Sequence, residues 1–211
     1  MIEGAITEQN YREVVDAFAQ GAFVMNAPLQ FRAAQSPAER DAIYHLRYLE
    51  VTTRGWSKPE DYPNQLETDE HDAAAVHVAA WDGETLAGCA RLIFPVPDAP
   101  LPIETSFDVL IEPRQQVVYL SRVLIAPAYR GKGPQLLLGL LGLSWLEIRA
   151  RGYSHLCGAF AEAVLPVFKQ VGASITPLGL PQEFLGETRY ACNIDMLKTA
   201  QGLAKHFKPS V

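Results

Sequence analysis

Cysteine is scarce. Cys89, Cys157 and Cys192 are the only three, odd in number and widely spaced. That spacing excludes a disulfide framework and any paired-cysteine metal or redox motif. Buried reduced thiols in a reducing cytoplasm are expected instead. Long apolar runs are lacking too. The longest, Leu136–Leu146, is broken by Gly139, Gly142 and Ser144, and it falls well short of the about 20 residues that span a bilayer. No basic start leads into an apolar stretch at the N-terminus, where Glu3, Glu8, Glu13 and Asp16 intervene, so no signal peptide is read. Positive charge is not in excess. Lys and Arg number 18 against 24 Asp and Glu, a net charge of -6, which argues against a general nucleic-acid binder. What is present is apolar content of 48% in 211 residues, enough for the core of one domain with a short extension.

The periodicities give an element order. Residues Thr7 to Ala19 read as an amphipathic helix, with Tyr11, Val14, Val15 and Phe18 on one side. Leu29–Ala33 reads as a short strand. Ser36-Pro37-Ala38-Glu39 opens a helix with a cap, a first-turn proline and a capping-box glutamate. Residues 54–72 are polar and broken by Pro59 and Pro63, a loop long enough to suggest a role. Strands Ala75–Trp81 and Thr85–Phe94 flank Asp82-Gly83, a hairpin signal. A proline-rich connection, strand Val117–Ala126, helix Pro134–Arg151, strand Ser154–Phe160 and helix Glu162–Val171 follow. Ile175–Leu178 and Thr188–Ile194 close the series. The order predicts an α/β (α+β) domain around a single mixed, mostly antiparallel sheet flanked by helices. Residues 1–28 form a helical extension, 29–197 the domain and 198–211 a C-terminal tail.

Two stretches carry chemistry. The first is Tyr129-Arg130-Gly131-Lys132-Gly133-Pro134, between an apolar strand and an apolar helix. Glycines let backbone N–H groups approach a ligand, and a helix start offers unpaired N–H groups and a positive dipole end. Arg130 and Lys132 add charge, so the turn suits a phosphate or pyrophosphate. The second is Glu67-Thr68-Asp69-Glu70-His71-Asp72. A neutral-pH amine is mostly protonated and attacks only after losing a proton. Glu67, Asp69 and Asp72 suit an ammonium, and crowding is expected to raise at least one of their pKa values. Arg47 and Arg122 either neutralise the remaining charge or grip an acceptor carboxylate. A solvated acidic loop with structural ion pairs is the plainer alternative.

The turn, with its preceding strand and following helix, is similar to the pantetheine-binding motif of the acetyltransferase-like (GNAT) superfamily, with Gln135 in place of its final small residue. The ordered set Arg47, Trp56, Glu67, Asp69, Asp72, Arg91, Ser121, Arg122 and the Leu178-Gly179-Leu180-Pro181 segment resembles the acyl-homoserine-lactone synthases and the N-acyl amino acid synthases. The resemblance implies a GNAT fold and an N-acyltransferase. Its donor would be an acyl-phosphopantetheine thioester, on acyl carrier protein or as acyl-CoA, with no metal. Its acceptor would be the amine of an amino acid or derivative. It implies catalytic roles for Glu67, Asp69, Asp72, Arg47 and Arg122, and an acceptor or acyl pocket at Trp56, Arg91 and Ser121. It implies thioester binding by Val123, Leu124, Arg130, Gly131, Lys132 and Gly133, with backbone N–H groups near Val123 or Leu124 facing the developing oxyanion. Phe168 stands where many members carry a proton-donating tyrosine, so no general acid is assigned. Arg130, Lys132, Arg149, Arg151 and Lys169 are the candidate docking patch for an acidic carrier protein. An ordinary acetyl-CoA N-acetyltransferase and a non-catalytic acyl-thioester-binding module are the competing expectations.

Overall fold

The computed structural model describes residues 10–131 and 134–206. Eight strands form one sheet in the order β1-β2-β3-β4-β5-β8-β6, with β7 paired to β8. The strands are β1 (Gln30–Ala33), β2 (Val76–Asp82), β3 (Thr85–Ile93), β4 (Val117–Ile125), β5 (His155–Ala161), β6 (Ser174–Pro177), β7 (Gln182–Phe184) and β8 (Glu187–Asp195). Every pair is antiparallel except β4–β5. The helices are α1 (Tyr11–Met25), α2 (Pro37–Thr53), α3 (Pro102–Phe107), α4 (Gln135–Ala150), α5 (Leu165–Gln170) and α6 (Met196–His206). Among the described residues, no helix is long and apolar enough to cross a membrane.

Alternation along the strands divides the core. Val78, Leu92, Val118, Leu120, Leu156 and Ile194 pack in one cluster with buried residues of α1, α4, α5 and α6. On the opposite side, Ile93, Val117, Tyr119, Cys157 and Ala191 pack with α3, and Ala79, Trp81 and Cys89 pack with Ile43 and Leu46 of α2. Helix α2 starts as its sequence dictates. Ser36 Oγ accepts from the Glu39 N–H at 3.2 Å, and the Glu39 carboxylate returns the bond to the Ser36 N–H at 3.2 Å.

The first and last described helices, α1 and α6, both pack into the core. Helix α1 buries Tyr11, Val15, Ala19 and Ala22, and α6 buries Ala200 and Leu203. The cause is an apolar stripe on each helix that needs a partner. Gly142 supplies part of it for α1: a Cβ there would lie 2.9 Å from the Ala19 backbone, so α4 and α1 approach closely only because the side chain is absent. Residues 7–9 of the first predicted helix, and residues 207–211, lie outside the described residues. Besides α6, two elements were not expected. The proline-rich connection contains α3, whose buried Glu104 accepts from the Leu101 and Ile111 N–H groups and from Arg114. Strand β7 forms a hairpin with β8 through Leu185-Gly186.

Candidate active site

The parallel pairing of β4 with β5 stops early. Val117 to Leu120 pair with His155 to Gly158. Beyond that point β4 follows β3 and β5 follows β8, and the two diverge. A cavity of about 350 Å³ fills the wedge. Its walls are Ser121 to Ile125 of β4, Ala159 to Ala161 of β5, Leu137 and Leu141 of α4, and Phe168 of α5. Val123 and Leu124 line it on a stretch of β4 that has no strand partner on the β5 side.

A bulge in β4 shapes the polar side of the wedge. Register shifts by one residue between the pairs Cys89–Leu124 and Arg91–Ser121, and Arg122 sits at φ +50°. Positive φ is uncommon for a residue with a side chain and is strained. An unbroken strand would send Ser121 and Arg122 to opposite faces; the bulge lets both join one network. Ser121 Oγ accepts from Arg91 Nε at 3.1 Å, and Arg122 Nη2 donates to Glu67 Oε1 at 2.8 Å.

That network gathers the acidic loop. Arg47 is fully buried on the apolar stripe of α2. It donates Nε to Glu67 and a two-pronged fork to Asp72 at 2.7 and 3.0 Å. Arg91 Nη1 donates to Asp69 at 2.6 Å and to Asp72 at 2.8 Å. The loop braces itself: the Asp69 N–H donates to Asp72 at 2.8 Å and the His71 N–H to Asp69 at 3.0 Å. The structure thus brings Arg47, Glu67, Asp69, Asp72, Arg91, Ser121 and Arg122 together in one cluster. Three arginines face three carboxylates, the arrangement that buried charge requires.

The expectation that crowding would raise a carboxylate pKa is not met. Burial pushes Glu67 upward, but hydrogen bonds from Arg122 and Arg47 outweigh it and leave the group below its ordinary value. Burial likewise opposes, and Arg91 overrides, at Asp69. At Asp72 burial is outweighed by Arg47, with further help from Arg91. Held below their ordinary values, these carboxylates are ionised at neutral pH and pair with the arginines. On the cavity wall, burial pushes the Tyr119 hydroxyl up to about 12.

A second cluster lies at the mouth of the same cavity. Glu50 of α2 accepts from Arg54 Nε at 2.5 Å and from Arg130. Arg130 also donates Nε to the Ile125 carbonyl at 2.8 Å, tying the turn after β4 to that strand's end. Arg54 reaches Glu187 of β8 at 2.6 Å. The Trp56 indole is flanked by the guanidiniums of Arg54 and Arg189, 4.9 and 5.5 Å from its ring. Lys132 and Gly133 lie outside the described residues; Gly131 is at φ +77°. Of the proposed docking patch, Arg149 pairs with Asp16 at 2.8 Å and Arg151 with Glu147 at 2.5 Å. Phe168 is buried against Phe160. Glu50, Arg54, Glu187 and Arg189 were not read as site residues. Glu50–Arg54 carries a local signal as an i, i+4 pair on α2, whereas the β8 residues reach the site only through the tertiary fold.

A family model described as an acetyltransferase (GNAT) domain matches residues 46–139, which run from α2 through the acidic loop and β4 into α4. Among solved structures, TofI, in a ternary complex with an inhibitor and MTA, is 24% identical. The match covers 83% of this chain and 96% of TofI, with a TM-score of 0.65. BjaI, a CoA-dependent acyl-homoserine lactone synthase solved with SAM and isopentyl-CoA, is 22% identical over 81% of this chain and 83% of its own, with a TM-score of 0.65. FeeM, an N-acyl amino acid synthase from uncultured soil microbes, is 14% identical over 85% and 98%, with a TM-score of 0.62. No curated protein gives a match. At these identities the structural likeness establishes the fold: the chain has the GNAT fold. The matched domain and the fold together support an acyltransferase of the GNAT type.

Proposed function

We propose that the chain is an N-acyltransferase that moves a medium- or long-chain acyl group from a pantetheine thioester to the amine of an amino acid or derivative. The observation that carries this reading is the wedge between β4 and β5, an open strand edge beside a cavity of about 350 Å³ with a charged mouth. The thioester lies along Ser121 to Ile125, with its phosphate end toward Arg130 and the turn that follows. Backbone N–H groups near Val123 and Leu124 stabilise the oxyanion as the amine attacks the carbonyl carbon; donors of this kind contribute about 3–4 kcal/mol. A C–N bond forms, the C–S bond breaks, the thiolate leaves, and the amine's proton passes to water. Glu67, Asp69 and Asp72 are positioning residues: they fix Arg122 and Arg91, and through them the bulge that shapes the edge. With Phe168 buried at the expected tyrosine position, no side-chain acid is assigned to the departing thiolate, whose ordinary pKa of about 8.5 makes it a tolerable leaving group. The donor is read as acyl carrier protein. Free acyl-CoA is the second reading, favoured by the CoA dependence described for BjaI.

Turnover with carrier-bound and CoA-bound donors of graded chain length, each offered amino acids and S-adenosylmethionine, tests this by mass spectrometry. N-acylated products from medium or long chains are expected. Equal or better use of acetyl-CoA would replace the reading by an ordinary N-acetyltransferase. Binding of acyl thioester without turnover would leave a non-catalytic module.

A further inference from the structure

The two arginine–carboxylate clusters differ in balance. In the inner one Arg47, Arg91 and Arg122 meet Glu67, Asp69 and Asp72, charge for charge. In the outer one, among the described residues, Arg54, Arg130 and Arg189 share only Glu50 and Glu187. The weakest pairing falls on Arg189. Glu187 is 2.6 Å from Arg54 but 3.3 Å from Arg189. Arg189 Nε is taken by the Phe184 carbonyl at 3.1 Å, and its Nη1 makes no hydrogen bond among the described residues. Yet the side chain is only 19% exposed and lines the cavity. Desolvation, together with the like charges of Arg122 and Arg54, disfavours its charged form despite Glu187. A cation in that position is costly unless an anion completes it.

Its placement is set by a tight turn and close packing. The β7–β8 hairpin turns through Leu185 at φ +50° and Gly186 at φ +67°, the two positive angles of a tight hairpin turn. A Cβ on Gly186 would lie 2.2 Å from the Trp56 ring, so the hairpin is docked on the indole at its closest approach. Trp56 and Phe184 wall the same end of the cavity as Arg189.

We infer that Arg189 is a specificity-determining residue that receives the carboxylate of the acceptor, so that the acceptor class is an amino acid bearing a free carboxylate and not a plain amine or polyamine. The inference rests on the N-acyltransfer reading for what the anion is. A planar guanidinium with one edge open suits a carboxylate, and a polyamine would meet a wall of cations. The acceptor's amine then points inward toward the thioester edge, with its carboxylate outward on the hairpin.

The test compares a product with its carboxylate-free counterpart: N-decanoyl-phenylalanine against N-decanoyl-phenethylamine, by calorimetry on the full chain. The wild type is expected to bind the carboxylate about tenfold tighter or more, the scale of one hydrogen bond to a charged group. Arg189→Gln should bring the two ligands to near equality, and Arg189→Lys should retain part of the preference. Glu187→Gln removes the competing carboxylate and should tighten the acid alone; it decides the matter if the Arg189→Gln variant does not fold. A wild type with no preference, equal weakening of both ligands by Arg189→Gln, or no gain from Glu187→Gln would overturn the inference. So would an Arg189→Gln effect confined to the thioester donor's KM, which would assign the anion to the donor's phosphate. An Arg189-dependent preference in a protein that makes no amide from any donor would keep the carboxylate site and remove the acyltransfer reading.

Discussion

Glu67→Gln changes one atom type at the point where the acidic loop meets β4. The carboxylate is 5% exposed and holds two arginines, Arg47 from α2 and Arg122 at the bulge. With an amide there, the inner cluster has three guanidiniums and two carboxylates, and the new NH₂ group faces donors. Removing one partner from a buried ion pair costs about 3–5 kcal/mol. Arg47 keeps its fork to Asp72, and Arg122 has Asp69 Oδ2 at 3.5 Å, so the expected loss is somewhat smaller, about 2–4 kcal/mol. For a chain of this length that lowers Tm by roughly 5–15 °C. Turnover should fall at least about tenfold, equivalent to about 1.4 kcal/mol of barrier, because Arg122 no longer fixes the strained bulge beside Val123 and Leu124. Differential scanning calorimetry and initial rates at 25 °C, well below either midpoint, separate the two effects. A Tm unchanged within a degree and a near-normal rate would refute the reasoning. A large rate loss at unchanged Tm would point instead to a direct role in proton transfer.

Three further outcomes follow from the geometry. Glu67, Asp69 and Asp72 are all held below their ordinary values. Their contribution to stability is therefore complete above their unfolded pKa values of about 4 and is lost as pH falls through the lowered folded ones; calorimetry from pH 7 down to 2 should show Tm falling below about pH 4, and a rise there would contradict the ion-pair account. Gly186→Ala places a side chain against Trp56 at a positive φ, and should cost about 1–3 kcal/mol in urea unfolding; no loss would mean the hairpin does not dock there. The three cysteines are buried, and burial pushes Cys89 up to about 12, Cys192 up to about 11 and Cys157 above its ordinary value. Native protein should resist a thiol reagent at pH 8 and keep its turnover, with all three thiols reacting only after denaturation; rapid native labelling with loss of activity would indicate a thiol in the mechanism.

Much of this architecture is legible in the sequence where local rules decide. Ser36, Pro37 and Glu39 announce the start of α2, and Asp82-Gly83 announces the β2–β3 hairpin. The residue types of the acidic loop and of Arg47, Arg91, Ser121 and Arg122 mark them as candidates, but their meeting in one cluster depends on the packing of α2 and the loop and on the bulge in β4, which carry no local signal. The direction of the carboxylate pKa shifts is not legible, because it depends on three arginines arriving from α2, β3 and β4. Helix α1 reads as an appendage because only the facing surface of α4, with Gly142 open to Ala19, shows where its stripe goes. Arg189 carries no local signal: its place at the cavity comes from a polar strand, β7, and from a turn pinned by Trp56 far away in sequence.

On the proposed function, the wedge between β4 and β5 carries an acyl group from a thioester to an amine. The most direct measurement follows one reaction by two readouts, free thiol released and amide formed, with a decanoyl thioester and a mixture of amino acids. The two are expected in equal amounts, both falling together by at least about tenfold in Glu67→Gln. Thiol released without amide would make the protein a thioesterase, and neither product from any carrier-bound or CoA-bound donor would contradict the account outright.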